Sequence, residues 1–175
     1  MKKIKNPQFL VSLMVIIIVV VSIGYSVIFR NETITPRQAE NTDFIPEVTK
    51  SDQEWRKILT PQQFYVLREK GTDYPFSEEV LLHEKRPGTF VTADCGEAVF
   101  RSEQKYDSKT GWPSFWAPIE GSVIEIPDNS LGVVRTEIVG KKCGGHLGHV
   151  FADGPEPTGL RYCINPSALK FIPDV

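Results

Sequence analysis

Residues Phe9 to Phe29 form an unbroken run of 21 uncharged residues dominated by Val and Ile, and Lys2, Lys3 and Lys5 precede it. About 20 apolar residues in helical form match the ~30 Å hydrocarbon core of a bilayer. The alternative is a cleaved secretory signal, whose apolar region is about 7–15 residues. Ser22-Ile23-Gly24 offers a small-x-small cleavage triplet, yet apolar residues continue past it to Phe29, which favours an uncleaved anchor. Lysines before the span and a mixed flank after it (Arg30, Glu32, Arg37) favour a cytoplasmic N-terminus and an exported domain. The expected order is a basic flank over 1–8, a transmembrane helix over 9–29, a tether over 30–50 and a folded domain over 51–175. The tether, rich in Thr, Asn, Glu and Pro, shows no apolar periodicity.

The stretch 51–175 is long enough for one globular domain. A net charge of −2 with no basic stripe argues against nucleic acid as a partner. Ser51-Asp52-Gln53-Glu54 is a capping box that leads into Trp55, Ile58 and Leu59 at helical spacing. Thr60-Pro61-Gln62-Gln63 is a second box with proline at the first helical position, and Gly71 is expected to close that helix. Short β-type runs then alternate with Gly and Pro: 88–92, 97–102, 122–126, 132–139, 161–165 and 168–172. The expectation is a mainly β domain of antiparallel sheets with two short N-terminal helices.

Three cysteines, Cys95, Cys143 and Cys163, are too few for a disulfide scaffold and leave at least one thiol unpaired. The densest polar constellation is Cys143-Gly144-Gly145-His146-Leu147-Gly148-His149, followed by Gly159-Leu160-Arg161-Tyr162-Cys163-Ile164-Asn165. It admits a metal site on Cys143, His146 and His149, although paired Cys-x-x-Cys units are missing: Thr92 stands three before Cys95, and Gly140 three before Cys143. It also admits an activated thiol. Strand alternation would put Arg161, Cys163 and Asn165 on one face, where Arg161 and a histidine would lower the thiol pKa toward ~7. The bland alternative is a buried cysteine acting as a small hydrophobe. Trp112, Phe115 and Trp116, in an aromatic turn-forming segment, read equally as core packing or as an apolar wall for a small group.

The segments Gln63-Phe64-Tyr65-Val66, Tyr74-Pro75-Phe76, Lys105-Tyr106-Asp107-Ser108, Gly111-Trp112-Pro113-Ser114-Phe115, His146 to Phe151, Asp153-Gly154-Pro155 and Gly159 to Asn165 occur in one order over some 110 residues. In this the sequence closely resembles the methionine-R-sulfoxide reductases of the B type. The resemblance implies antiparallel sheets of the Mss4-like type and reduction of the R epimer of methionine sulfoxide, free or in proteins, as repair of oxidised proteins under oxidative stress. It implies Cys163 as nucleophile, active-site roles for His146, His149, Arg161 and Asn165, and Trp112 as the substrate-binding wall. The product on Cys163 is then a sulfenic acid, re-reduced by a thioredoxin-like or other thiol donor.

Two departures from the family pattern stand out. Thr110 occupies the place where many members carry a resolving cysteine. Thr92 and Gly140 replace two of the four ligands of a structural zinc site, so no cofactor is expected. The resemblance puts Cys95 and Cys143 within a few ångströms of each other, in position for a disulfide. Two rival readings carry over: a cysteine hydrolase using Cys163 and His149, and a non-catalytic module that binds oxidised methionine.

Overall fold

The computed structural model describes residues 44–175. The expected anchor and most of the tether lie outside the described residues, among which no helix is long and apolar enough to cross a membrane. The chain is fastened to the domain before Ser51: the Val48 N–H donates to Lys142 O at 2.9 Å, and Val48 packs against the core.

Both capping boxes form. Helix α1 (Asp52–Ile58) starts at Ser51, whose hydroxyl accepts from Glu54 N while the Glu54 carboxylate accepts from Ser51 N. Helix α2 (Pro61–Glu69) repeats the arrangement with Thr60 and Gln63. Its last turn differs from expectation: Lys70, not Gly71, takes the left-handed conformation (φ 56°). The Gly71 N–H reaches back to Tyr65 O, and the Tyr65 ring lies over Gly71, 2.2–2.4 Å from where a Cβ would stand, so a larger residue there would have to displace that ring. A third helix, α3 (Glu79–His83), was not expected; Glu78 makes no side-chain cap, and none of its residues is buried.

The rest is β. Strands β1 (Gly88–Thr92), β2 (Ala98–Arg101) and β9 (Leu169–Pro173) form a three-stranded antiparallel sheet in the order β2-β1-β9. A six-stranded sheet has the order β3-β4-β8-β7-β6-β5. Its members are β3 (Lys105–Tyr106), β4 (Ser114–Phe115), β5 (Val123–Asp128), β6 (Arg135–Gly140), β7 (His146–Phe151) and β8 (Arg161–Ile164). All its pairings are antiparallel. One apolar cluster joins Trp55, Phe64 and Leu67 of the helices to side chains of both sheets. At its centre Phe115 stacks on Phe100 (ring centroids 4.3 Å apart) and meets Phe90 edge-on at 5.0 Å. This assigns Phe115 to the core.

Matching turns at Thr92–Gly96 and Gly140–Gly144 meet, and a disulfide joins Cys95 to Cys143 across 48 positions of sequence. Thr92 Oγ1 lies 3.7 Å from Cys95 Sγ, and a Cβ on Gly140 would sit 3.3 Å from Thr92 Cγ2. The four positions therefore converge. A tetrathiolate zinc shell does not fit them, because two carry no sulfur and the two sulfurs present are bonded to each other.

Candidate active site

Cross-strand register assembles the site. Cys163 on β8 stands opposite Ser114 of β4 on one side and His149 of β7 on the other. His149 in turn faces Glu137 of β6. Directly opposed residues share a face, so Ser114, Cys163, His149 and Glu137 project the same way. Alternation adds Arg161, opposite Phe151. In a regular strand, His146 and His149, three apart, would point to opposite faces. A β-bulge prevents this: Ile138 and Val139 are consecutive, but their partners are Gly148 and His146, which leaves Leu147 as the extra residue. The bulge returns His146 to the face of His149, with ring centroids 5.4 Å apart. Gly148 is needed at this crossing, since a Cβ there would lie 2.1 Å from Cys163 O.

A cavity of about 310 Å³ opens over this face. Its lining includes Trp112, His149, Arg161, Cys163 and Asn165, with Thr110 beside them. Asn165 lies beyond the end of β8, yet it reaches the same cavity. Its Oδ1 accepts from Asp73 N at 2.9 Å and its Nδ2 donates to Leu147 O at 3.1 Å. His146 does not line the cavity. It is buried behind, with Nδ1 2.8 Å from Glu137 Oε1 and, among the described residues, no hydrogen-bond partner for Nε2. Burial alone pushes the Glu137 carboxyl up, but hydrogen bonds from His146 and Lys70 carry it below its usual range. Glu137 is therefore the acceptor and His146 donates from Nδ1.

The loop carrying Thr110 and Trp112 is shaped locally. Asp107 accepts from Lys109 N, Lys109 takes a left-handed conformation (φ 62°), and Gly111 follows at φ 89°. Side chains rarely adopt that last geometry, and a Cβ on Gly111 would meet Pro75 and Phe76 at 2.8 Å. The Trp112 indole N–H donates to Asp73 O at 3.0 Å, which fixes the ring as a wall of the cavity. Trp116 is half-buried, and its backbone O accepts from the Thr158 hydroxyl.

Asp73 was not singled out from the sequence. Its backbone holds Trp112 and Asn165, while its buried carboxylate accepts from Gln62, Ser167 N and Ser167 Oγ. A lone Asp between Thr72 and Tyr74 carries no signal of this. Asp128 was also missed. It accepts from His149 Nε2 at 2.7 Å and pairs with Arg135, and the hydrogen bonds from Ser130, foremost among those it receives, hold it far below the usual carboxylate range. An ionised Asp128 can only accept, so His149 donates from Nε2. Burial lowers His149 below the ordinary imidazole value, although Asp128 pulls the other way.

The expected lowering of the Cys163 pKa is not observed. Burial pushes the thiol up, and the pull of Arg161 only partly offsets it. Arg161 is itself engaged: Asp153 accepts from Nε and Nη2, both at 2.8 Å, and the guanidinium stacks over Phe151 at 4.5 Å. The metal arrangement fares no better. The Cys143 sulfur is in the disulfide, and His146 and His149 each bond to a separate carboxylate.

A family model described as the SelR domain matches residues 59–173. Three relatives carry the name peptide methionine sulfoxide reductase MsrB. That of Leptospira interrogans is 53% identical over 126 residues, covering 71% of this chain and 95% of its own. That of Bradyrhizobium diazoefficiens is 56% identical over 128 residues, covering 73% and 91%, and that of Hahella chejuensis 55% over 126 residues, covering 71% and 90%. An antiparallel β domain matched along nearly its whole length, with relatives about half identical to it, settles the affiliation: the chain belongs to the SelR family of peptide methionine sulfoxide reductases.

Proposed function

We propose that this chain reduces methionine-R-sulfoxide, in proteins or free, by attack of the Cys163 sulfur on the sulfoxide sulfur. The observation that carries the reading is Cys163, a free thiol in a cavity walled by Trp112 and directly opposed by His149. Thiol plus sulfoxide gives sulfenic acid plus thioether: the sulfoxide sulfur gains two electrons, the cysteine sulfur loses them, and oxygen passes between. The proton that leaves Cys163 is the one the departing oxygen needs, and His149 carries it across. Trp112 receives the S-methyl group against a ring that cannot turn, because its N–H is held by Asp73. Arg161 draws the thiol toward thiolate. Asn165 and His146 act by position, Asn165 tying β8 to Asp73 and His146 fixing Glu137 behind His149.

With Thr110 in the loop and Cys95 bonded to Cys143, the sulfenic acid is resolved by an external thiol donor. Two thiols then yield a disulfide, water and the regenerated Cys163 thiol. Nothing in this cycle calls for a metal. The 21-residue run over 9–29 supports a single-pass membrane anchor with the domain on the extracytoplasmic side; a reporter fused to the C-terminus that is active only in the cytoplasm would contradict this side.

The test is turnover with dithiothreitol and the separated epimers. The expected result is turnover of R, little of S, and none of either by Cys163→Ser. Comparable kcat/KM for the two epimers, or retained activity in Cys163→Ser, overturns the reading. Ester hydrolysis without thiol consumption would instead mark a cysteine hydrolase.

A further inference from the structure

Beside the Cys163 sulfur the chain places three hydroxyls in a row. Thr110 Oγ1 is 2.8 Å from Ser108 Oγ, which is 2.7 Å from Ser114 Oγ; Ser114 Oγ also lies 3.2 Å from Trp112 O. Ser114 is fully buried and directly opposite Cys163 in the sheet, while Thr110 and Cys163 line the same cavity. Each hydroxyl has one hydrogen to give and can accept as well. That allows two complete arrangements. With Cys163 protonated, S–H donates to Thr110, Thr110 to Ser108, Ser108 to Ser114, and Ser114 to Trp112 O. With Cys163 ionised, the sulfur can only accept, and all three hydrogens turn round: Ser114 gives to Ser108, Ser108 to Thr110, and Thr110 to the sulfur. Trp112 O and Ser114 Oγ each lose a donor, and leaving neutral oxygens short costs less than leaving a buried anion short.

We propose that Thr110 is a catalytic residue whose hydroxyl donates to the Cys163 thiolate, held in that direction by Ser108 and Ser114. No proton travels along the row; each oxygen keeps its own hydrogen, and the thiol proton leaves through the cavity. Such a row is polarised end to end when the anion forms, so its far members contribute through Thr110. The need for it arises from the site itself. Burial raises the thiol pKa, and Arg161, clasped by Asp153, does not fully compensate; the neighbouring Thr110 hydroxyl acts in the same favourable sense as Arg161. The inference rests on Cys163 being the nucleophile.

The experiment is the pH dependence of iodoacetamide alkylation of Cys163 in the full chain without substrate. Cys95 and Cys143 are joined, so the reaction reports the remaining thiol. Thr110→Val keeps the shape and removes the donor; its midpoint should rise by about one unit, a roughly tenfold loss of thiolate near neutral pH. Thr110→Ser keeps the donor and should stay within ~0.3 unit of the parent, while Ser108→Ala, which only frees Thr110 from its support, should rise by less than Thr110→Val. In Thr110→Val, sulfoxide kcat/KM should fall about tenfold on its plateau and its alkaline limb should move up with the thiol. An unchanged midpoint in Thr110→Val, or an equal rise in Thr110→Ser, overturns the proposal. Failure of the nucleophile assignment would show separately, as sulfoxide turnover surviving in Cys163→Ser.

Discussion

Two opposing pulls act on the Cys163 sulfur. Burial disfavours the anion, while Arg161 and the Thr110 hydroxyl favour it, and burial prevails. The position of Arg161, two residues before Cys163 on a strand, was legible in the sequence; its strength was not. That depends on Asp153 engaging the guanidinium and on a sheet covering the thiol, both products of tertiary structure. His149 shows the mirror image: burial keeps it neutral, and Asp128, 21 positions away, opposes this. The reactive pair, thiolate with imidazolium, has the same proton count as thiol with neutral imidazole. The pH profile of kcat/KM should therefore be a bell, rising through the His149 pKa and falling through the thiol pKa. Its acid limb should lie below the ordinary imidazole value of about 6.5 and its alkaline limb above the ordinary thiol value of about 8.5. Asp128→Asn removes the charge that holds His149 up. Its acid limb should move further down and the plateau should fall with it; an upward move, or none, would show that Asp128 does not set His149.

At the level of elements, legibility tracked local chemistry. The helices beginning at Asp52 and Pro61 were evident because capping boxes and a proline are local signals, and both boxes form. The strand at 88–92 was read to the residue because its β-branched and aromatic side chains fill a buried surface. β7, which carries both histidines, was not anticipated. Its sequence, His146-Leu147-Gly148-His149-Val150-Phe151, has no period-2 pattern, because the bulge at Leu147 breaks the alternation. The two-residue strands β3 and β4 are too short to announce themselves, although β4 delivers Ser114 and the core Phe115. Gly148 is where this matters for stability. Gly148→Ala would drive a Cβ into the Cys163 carbonyl, where the nearest atoms are all backbone of Cys163 and Ile164 rather than a flexible side chain. It should cost ~3 kcal/mol or more by urea unfolding and abolish activity by moving Cys163 away from His149. A loss under ~1 kcal/mol with activity retained would show that the β7–β8 crossing is looser than the geometry states.

Across the whole molecule, the disulfide ties the turn after β1 to the turn after β6 and so links the two sheets. Arg68 of α2 adds a second tie there, donating to Cys143 O at 3.0 Å and pairing with the buried Asp94. A crosslink enclosing 48 positions is worth roughly 3–4 kcal/mol in the chain-entropy model. Cys95→Ala with Cys143→Ala should therefore lower the Tm markedly while leaving sulfoxide turnover at 25 °C within about twofold, since neither residue lines the cavity. Loss of turnover in a variant that is still folded would mean that one of them resolves Cys163. The resemblance made this pairing foreseeable, through two ligand positions lost and two cysteines left together; composition alone did not, because three scattered cysteines define no partner. The central claim, that Cys163 takes the sulfoxide oxygen as a sulfenic acid from which an external thiol then releases it as water, is tested most directly by a single turnover without reductant. The full chain is mixed with excess methionine-R-sulfoxide; methionine is counted, and the oxidised cysteine is trapped with dimedone and located by mass. The account predicts one methionine per chain, one dimedone adduct on Cys163 and an intact Cys95–Cys143 bond. A Cys163–Cys95 or Cys163–Cys143 bridge, or no methionine at all, would contradict it.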